Sequence, residues 1–310
     1  VASGLDEAAA RRFTGFADLY DRSRPSPPTV LGPLLCRYAG TARPAVVDMG
    51  SGTGLSARWA ATWAASVVGI EPNDDMRATA EARPVAGVSF RAAVAQCTGL
   101  PAGCADVVTV VQAMHWMEPT ATLREIARML RPAGVVAVVD ADWPPAAGVP
   151  AAEQAWVALH RRMRVLEARL ADGAHGAVLL GPVDDDDMAL VDDDLSDPHR
   201  NRRFPDGLRS WPKSGHLPAM VRSGHFSFTR ELVLHHTIDG GAERFCQLMR
   251  SQGSYQGLRR IGLSDDDVGF TAFTAAVAAA WAAAGPWPDD GQAVGDMVLC
   301  WRVRLGVRSR

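Results

Sequence analysis

A doubly wound, mostly parallel α/β sheet with an inserted, mainly helical cap is the fold class this sequence predicts, and three observations predict it. Short β-branched runs alternate with helical patterns from residue 45 to 140, which implies parallel strands joined by right-handed crossovers. A glycine-rich turn, Asp48-Met49-Gly50-Ser51-Gly52-Thr53-Gly54, lies between the first run and its helix. After Asp140 the alternation stops and a stretch rich in turn formers, arginines and acidic runs takes over.

Taken in order, Ala45-Val46-Val47-Asp48 is a buried strand by its apolar, β-branched content. A helix follows from Leu55 to Ala65, then the strand Val67-Val68-Gly69-Ile70. Asn73 or Asp74 can cap a helix that reaches about Ala82. Val88-Ser89-Phe90 and Val107-Val108-Thr109-Val110-Val111 are the next strands. Leu123, Ile126, Ala127 and Leu130 share one helix face. That helix stops at Pro132 and Gly134, where glycine suits a left-handed cap. Val135 to Val139 is a further strand.

Beyond Asp140 the sequence predicts a helix from Glu153 to Leu170, a strand from Phe226 to Ile238 and a helix over 241–261. An alanine-rich helix over 268–284 and a half-exposed strand from Val298 to Val307 complete the chain. The expected division is a cofactor-binding core over 1–144, a cap over 145–225, and a return to the core over 226–310.

Composition narrows the function. The 310 residues are 47% apolar and 22% charged, with net charge -3, so no global positive field gathers nucleic acid. Five cysteines lack paired C-x-x-C spacing, which argues against a disulfide framework or zinc ribbon. No apolar run is long enough for a membrane span, and residues 1–7 do not open as a signal peptide. Lys213 is the single lysine against 31 arginines. The expectation is a soluble, cytoplasmic enzyme, monomeric or homodimeric, that binds neither nucleic acid nor membrane.

The glycine turn lets backbone approach a ligand closely. Glu71 follows the second strand directly, where a carboxylate can accept both hydroxyls of a ribose. Asp48 puts a negative charge beside the loop, which suits a cationic ligand better than a pyrophosphate. Counting from Gly50, Leu55 occupies the third glycine position of the dinucleotide fingerprint, and no Walker Gly-Lys-Ser/Thr occurs.

These features resemble the first two motifs of class I S-adenosylmethionine-dependent methyltransferases. Leu100-Pro101, Ala105-Asp106-Val107-Val108, Gln112-Ala113-Met114-His115-Trp116 and Leu130-Arg131-Pro132-Ala133-Gly134 continue the resemblance, with Ala133 replacing the family's usual glycine. Tyr20-Asp21-Arg22-Ser23-Arg24-Pro25 is similar to the N-terminal segment of a subgroup that includes trans-aconitate-methyltransferase-like enzymes. The resemblance is specific over about residues 13–140, looser over 211–262 and the last strand, and weak over 145–210. It implies a Rossmann-like methyltransferase fold with S-adenosyl-L-methionine as cofactor. Asp48 and the backbone of Gly50, Gly52 and Gly54 would hold the methionyl part, and Glu71 the ribose. Pro72 and Met76 would flank the adenine, with Gln96 and Cys97 at its edge. Tyr20, Arg24, Ser51 and Gln112 join this cofactor set.

A sulfonium methyl is already activated, so the protein mainly aligns the reactants and excludes water. A hydroxyl, amine or acidic carbon as nucleophile would profit from a base, and His115, past the fourth strand, is the candidate. Substrate holder and pocket wall are its other readings. Trp116, Arg250, Gln252 and Tyr255 are the candidate substrate-binding residues, since similar sequences place the 250–255 segment over the pocket.

No metal site is expected. His235 and His236 point to opposite faces of a strand, and the aspartate runs at 184, 192 and 265 lack calcium-loop spacing. Arg200, Arg202 and Arg203 read as a solvated face or an anion clamp. The expected function is methyl transfer to a small-molecule acceptor, a specialised metabolite in a biosynthetic sequence. The alternatives are a non-catalytic cofactor-binding regulatory or scaffold protein, and an enzyme whose acceptor is a protein or nucleic acid.

Overall fold

The computed structural model describes residues 14–182, 202–204, 209–285 and 296–310. The aspartate runs at 184–187 and 192–194 and Arg200 lie outside the described residues, as do the side chains of Arg202 and Arg203. Two helices, α1 (Ala17–Ser23) and α2 (Leu31–Ala39), precede the sheet. Then come β1 (Ala45–Met49), α3 (Leu55–Ala61), β2 (Ser66–Ile70), α4 (Asp74–Glu81), β3 (Val88–Arg91), β4 (Ala105–Val111), α5 (Pro119–Met129) and β5 (Leu130–Ala141). Helices α6 (Pro150–Ala171) and α7 (Gly176–Leu180), a two-residue ladder of β6 (Arg202–Arg203) with β7 (Arg209–Ser210), and α8 (His216–Arg222) follow. The chain closes with β8 (Phe226–Ile238), α9 (Ala242–Arg250), α10 (Gly253–Arg260), α11 (Asp265–Val268), α12 (Phe270–Ala284) and β9 (Met297–Arg308).

The seven-stranded sheet runs β3-β2-β1-β4-β5-β9-β8. The first five strands are parallel, and β9 runs antiparallel to both β5 and β8. The mixed α/β sheet with a helical insert is therefore the architecture that the sequence predicts. Successive strand residues face opposite ways, and the core shows it. Val46, Val107 and Val135 pack with Leu31, Leu35 and Trp59 on one face. Val47, Val108 and Val136 pack with Leu123, Ile126 and Met220 on the other. A third cluster joins α6 to α9, α10 and α12 through Trp156, Met163, Phe245, Leu258 and Phe273.

Several boundaries differ from expectation, each for a physical reason. The helix expected to reach Ala65 ends at Ala61, where Thr62 and Trp63 tighten into i→i+3 bonds to Trp59 and Ala60 carbonyls. The helix expected over 241–261 is two helices broken at Ser251–Gln252, with Gln252 extended at ψ 137. That over 268–284 is split by Gly269 at φ +91. In the Leu130–Gly134 bend it is Ala133, at φ 62, that takes the left-handed conformation. Gly134 is needed for space instead, because a Cβ there would meet the Arg131 carbonyl oxygen at 2.9 Å. The last strand is not half-exposed. It lies inside the sheet between β5 and β8, so Arg304 is only 3% exposed and pairs with Asp140 at 2.7 Å and Glu231 at 2.8 Å.

Candidate active site

A cleft of about 1100 Å³ opens at the C-terminal ends of β1, β2 and β4, where ligands of open α/β sheets collect. The Gly50–Thr53 loop forms one wall. Gly50 is left-handed at φ 68, and a Cβ on it would lie 2.6 Å from the Ala113 Cβ. Glycine is required there by both conformation and space. Gly52, at φ 54, has nothing within 4 Å of a Cβ position. Gly54 does not line the cleft; it heads α3 and gives room to Phe90, which a Cβ would meet at 2.8 Å.

Glu71 lines the cleft and is tied to both sides of it. Its Oε2 accepts the Gly52 N–H at 2.9 Å and its Oε1 the Asn73 N–H at 2.8 Å. Burial pushes its carboxyl up to about 7, against the pull of those two N–H groups and of Arg77. Asn73 caps α4, accepting from the Met76 N–H at 2.8 Å. Pro72 and Met76 sit on the cleft wall with it.

Asp48 lies beneath the loop and is fully buried. Its oxygens accept from the Ser56 hydroxyl at 2.6 Å and the Thr109 hydroxyl at 2.7 Å. Burial raises its carboxyl to about 6, with those two hydroxyls opposing. Asp48 is not a wall residue; it braces β4 and the start of α3 from beneath the loop through Thr109 and Ser56. Cys97 is exposed and off the cleft, whereas Gln96 lines it.

At the other end, Arg24 lines the cleft between the rings of Tyr20 and Trp143, its guanidinium carbon 5.1 Å and 5.0 Å from their centroids. It donates to the Ser251 carbonyl at 3.0 Å and the Gln252 Oε1 at 3.1 Å. Burial lowers its pKa from the usual arginine value, with Tyr20 opposing. Trp116, Trp143 and Trp301 supply the aromatic wall.

The polar atoms of this wall decide what the cleft can hold. Arg24 Nε, Ser51 Oγ, Thr53 Oγ1, Gln96 Oε1 and Gln112 Nε2 are buried without a hydrogen-bond partner among the described residues. Buried donors and acceptors left unpaired cost about 1–3 kcal/mol each, so a native protein explains them with a ligand or water. Donors at Arg24 and Gln112, hydroxyls on the glycine loop, the carboxylate of Glu71 and an acceptor at Gln96 thus share one cleft, a lining for a ligand with both donor and acceptor groups.

His115 stands in the 3₁₀ turn Met114–Trp116 and is not a wall residue. Its Nδ1 is 3.8 Å from Asp140 Oδ1, and its ring packs on Trp116 at 4.6 Å. Its carbonyl accepts the Trp211 N–H at 2.8 Å. Of the 250–255 segment, Ser251 and Gln252 reach a wall residue, both through Arg24. Arg250 stacks over Phe270 at 4.8 Å and Tyr255 donates to Asp265 at 2.6 Å. Both are engaged in the helical layer, so the structure does not bring them to the cleft as expected.

Sequence reasoning missed Trp143, Trp301, Asp140 and Lys213. Asp140 ends a Val-Val-Asp run like that of Asp48, and Trp143 lies just past a predicted strand end, so both carried a legible signal. Trp301 carried none, since it arrives from the far end of the chain.

Residues 47–138 match the family profile described as "Methyltransferase domain". An uncharacterized methyltransferase of Mycobacterium tuberculosis is 33% identical over 128 residues, 41% of this chain and 51% of its own. A Dictyostelium discoideum protein provisionally named a methyltransferase is 28% identical over 123 residues, 40% of this chain and 46% of its own. The chain thus spans about half the length of the curated relatives it matches. A structure from Anaeromyxobacter dehalogenans, provisionally titled a type II methyltransferase, superposes with TM-score 0.52 at 20% identity. It covers 92% of this chain and 97% of its own, and the likeness is one of fold. The sequence likeness is thus to a methyltransferase domain over residues 47–138, and the solved structure adds a likeness of fold.

Proposed function

We propose that this protein transfers the methyl group of S-adenosylmethionine to a small-molecule acceptor, a specialised metabolite, as a member of the trans-aconitate-methyltransferase-like subgroup. The observation that carries the reading is the row of unpaired buried polar atoms along one cleft, ending at an aromatic wall. The cofactor, when bound, supplies a methyl already activated by its positive sulfur. Glu71 would take the ribose hydroxyls, Gln96 and Met76 the adenine, and the Gly50–Gly52 backbone with Ser51 the methionyl part. Tyr20, Arg24 and Gln112 close that end. Trp116, with Trp143, would exclude water and hold a flat or apolar acceptor. His115, packed on Trp116 just past β4, is the candidate base for the acceptor's proton.

We take residues 1–144 as the cofactor core, 145–225 as the cap and 226–310 as the return to the core. What supports the cap is the Trp211–His115 backbone bond, which sets that segment against the β4 end. A cap set over that end would leave room for a small acceptor rather than a polymer, and net charge -3 offers nucleic acid no field. Among the described residues no helix is long and apolar enough to cross a membrane. The test is turnover: with a metabolite extract the protein should convert S-adenosylmethionine to S-adenosylhomocysteine and label a compound of low mass. Cofactor binding without turnover on any extract would favour a regulatory binder instead.

A further inference from the structure

We propose that Lys213, the sole lysine of the chain, is a positioning residue that fixes the Gln112 amide as a hydrogen-bond donor to the carboxylate of the cofactor's amino-acid end. This rests on the cofactor reading above. The Lys213 ammonium stands among three acceptors: Gln112 Oε1 at 3.0 Å, Asp140 Oδ1 at 3.2 Å and the Ala141 carbonyl at 3.4 Å. An ammonium has three donors and no acceptor, and its compact shape suits hydrogen bonds to Gln112 and Ala141 beside an ion pair with Asp140. A planar guanidinium fork does not, which gives a physical reason for lysine here in a chain otherwise using arginine.

The consequence falls on Gln112. Only its Oε1 can face an ammonium, so its NH₂ must face the other way. That Nε2 is buried without a partner among the described residues, and Gln112 lines the cleft. Its backbone is left-handed at φ 53, an unfavourable conformation for a side chain of this size that surrounding contacts must hold. Asp140 anchors the arrangement from below. It is 1% exposed, and its Oδ2 meets Arg304 at 2.7 Å and His216 Nδ1 at 3.2 Å. The carboxylate is therefore pinned on one oxygen, and the other faces Lys213 at 3.2 Å and His115 Nδ1 at 3.8 Å.

Why a carboxylate follows from what flanks the donor. Ala113, next in the chain, abuts Gly50 at the start of the glycine loop, whereas Glu71 is bonded to Gly52 further along it. The other unpaired donor on the wall that carries a positive charge is Arg24. A donor backed by one cation and sharing a wall with another favours an anion. The amino-acid carboxylate is the anionic group of the cofactor.

Calorimetry on the full chain tests this with two probes, S-adenosylhomocysteine and 5′-methylthioadenosine, which lacks the amino-acid carboxylate. Lys213→Met should weaken S-adenosylhomocysteine about tenfold and leave methylthioadenosine within about twofold. Gln112→Ala should show the same selectivity. The double variant should bind S-adenosylhomocysteine no more weakly than Gln112→Ala alone, because Lys213 acts through Gln112. Unchanged S-adenosylhomocysteine affinity, equal loss for both probes, or additive losses would each overturn the assignment. If Lys213→Met fails to fold, the selectivity of Gln112→Ala, which leaves Asp140 and Lys213 paired, decides alone. A wild-type chain that binds neither probe would instead overturn the cofactor reading itself.

Discussion

Glu71 holds two backbone N–H groups on a carboxyl that burial has pushed up to about 7. A ligand that donates ribose hydroxyls favours the ionised form, so binding should expel a proton near neutral pH. S-adenosylhomocysteine affinity should then fall as pH drops below about 7, and titrations in buffers of different ionisation heat should report net proton release. No release would mean that the carboxyl does not touch the ligand. Glu71→Ala should cost on the order of 1.5–3 kcal/mol of that affinity. In the ligand-free protein the same raised value acts with the opposite sign. Between about 7 and the usual carboxyl range near 4.5, the folded chain keeps a proton that the unfolded chain releases. This group therefore adds stability as pH falls through that window. Glu125 works the other way. Its hydrogen bonds from Arg128 and Thr98, against burial, hold it at about 2, so its contribution is full above 4.5 and lost on acidification toward 2.

His115 belongs to the same scale. As a general base, His115→Ala should lower turnover by about 10²–10⁴-fold with cofactor affinity unchanged. As a substrate holder, His115→Gln should keep most turnover and raise the Michaelis constant. Wild-type behaviour of both variants would make it a structural residue packed on Trp116.

Among the elements, the Leu130–Gly134 bend makes the sharpest stability prediction. Ala133 bears a left-handed backbone at φ 62 with no glycine to relieve it. Ala133→Gly should therefore stabilise the protein by about 1 kcal/mol, read by denaturant unfolding. Gly134→Ala, one residue on, should destabilise by about 1–3 kcal/mol, because its Cβ would press on the Arg131 and Asp106 carbonyl oxygens at 2.9 Å and 3.1 Å. Equal effects of the two changes would show that the bend is not held in this conformation. The break between α9 and α10 has a different origin. The Ser251 carbonyl and the Gln252 side chain both turn to Arg24, so a contact across 227 residues ends a helix that local pattern would continue.

For the whole molecule, ligand should tighten the helical layer over the cleft. Hydrogen exchange over 145–182, 209–225 and 250–255 should slow when S-adenosylhomocysteine and acceptor are added together. Equal exchange with and without ligands, in an active preparation, would rule out a closing cap.

The strand alternation, the glycine loop, Glu71 at the strand end and the Asn73 cap were all legible in the sequence, because each is settled within a few residues by side-chain period, backbone sterics and local hydrogen bonds. The aromatic wall and the polar anchor were not. Trp301 reaches the cleft only because β9 inserts beside β5, and the same insertion buries Arg304 against Asp140. Lys213 meets Gln112 across 101 residues, and Arg24 meets Gln252 across 228. No periodicity carries such pairings. They follow from the order of strands in the sheet and from the cost of leaving charge buried without a partner, and those are properties of the folded chain rather than of any segment in it.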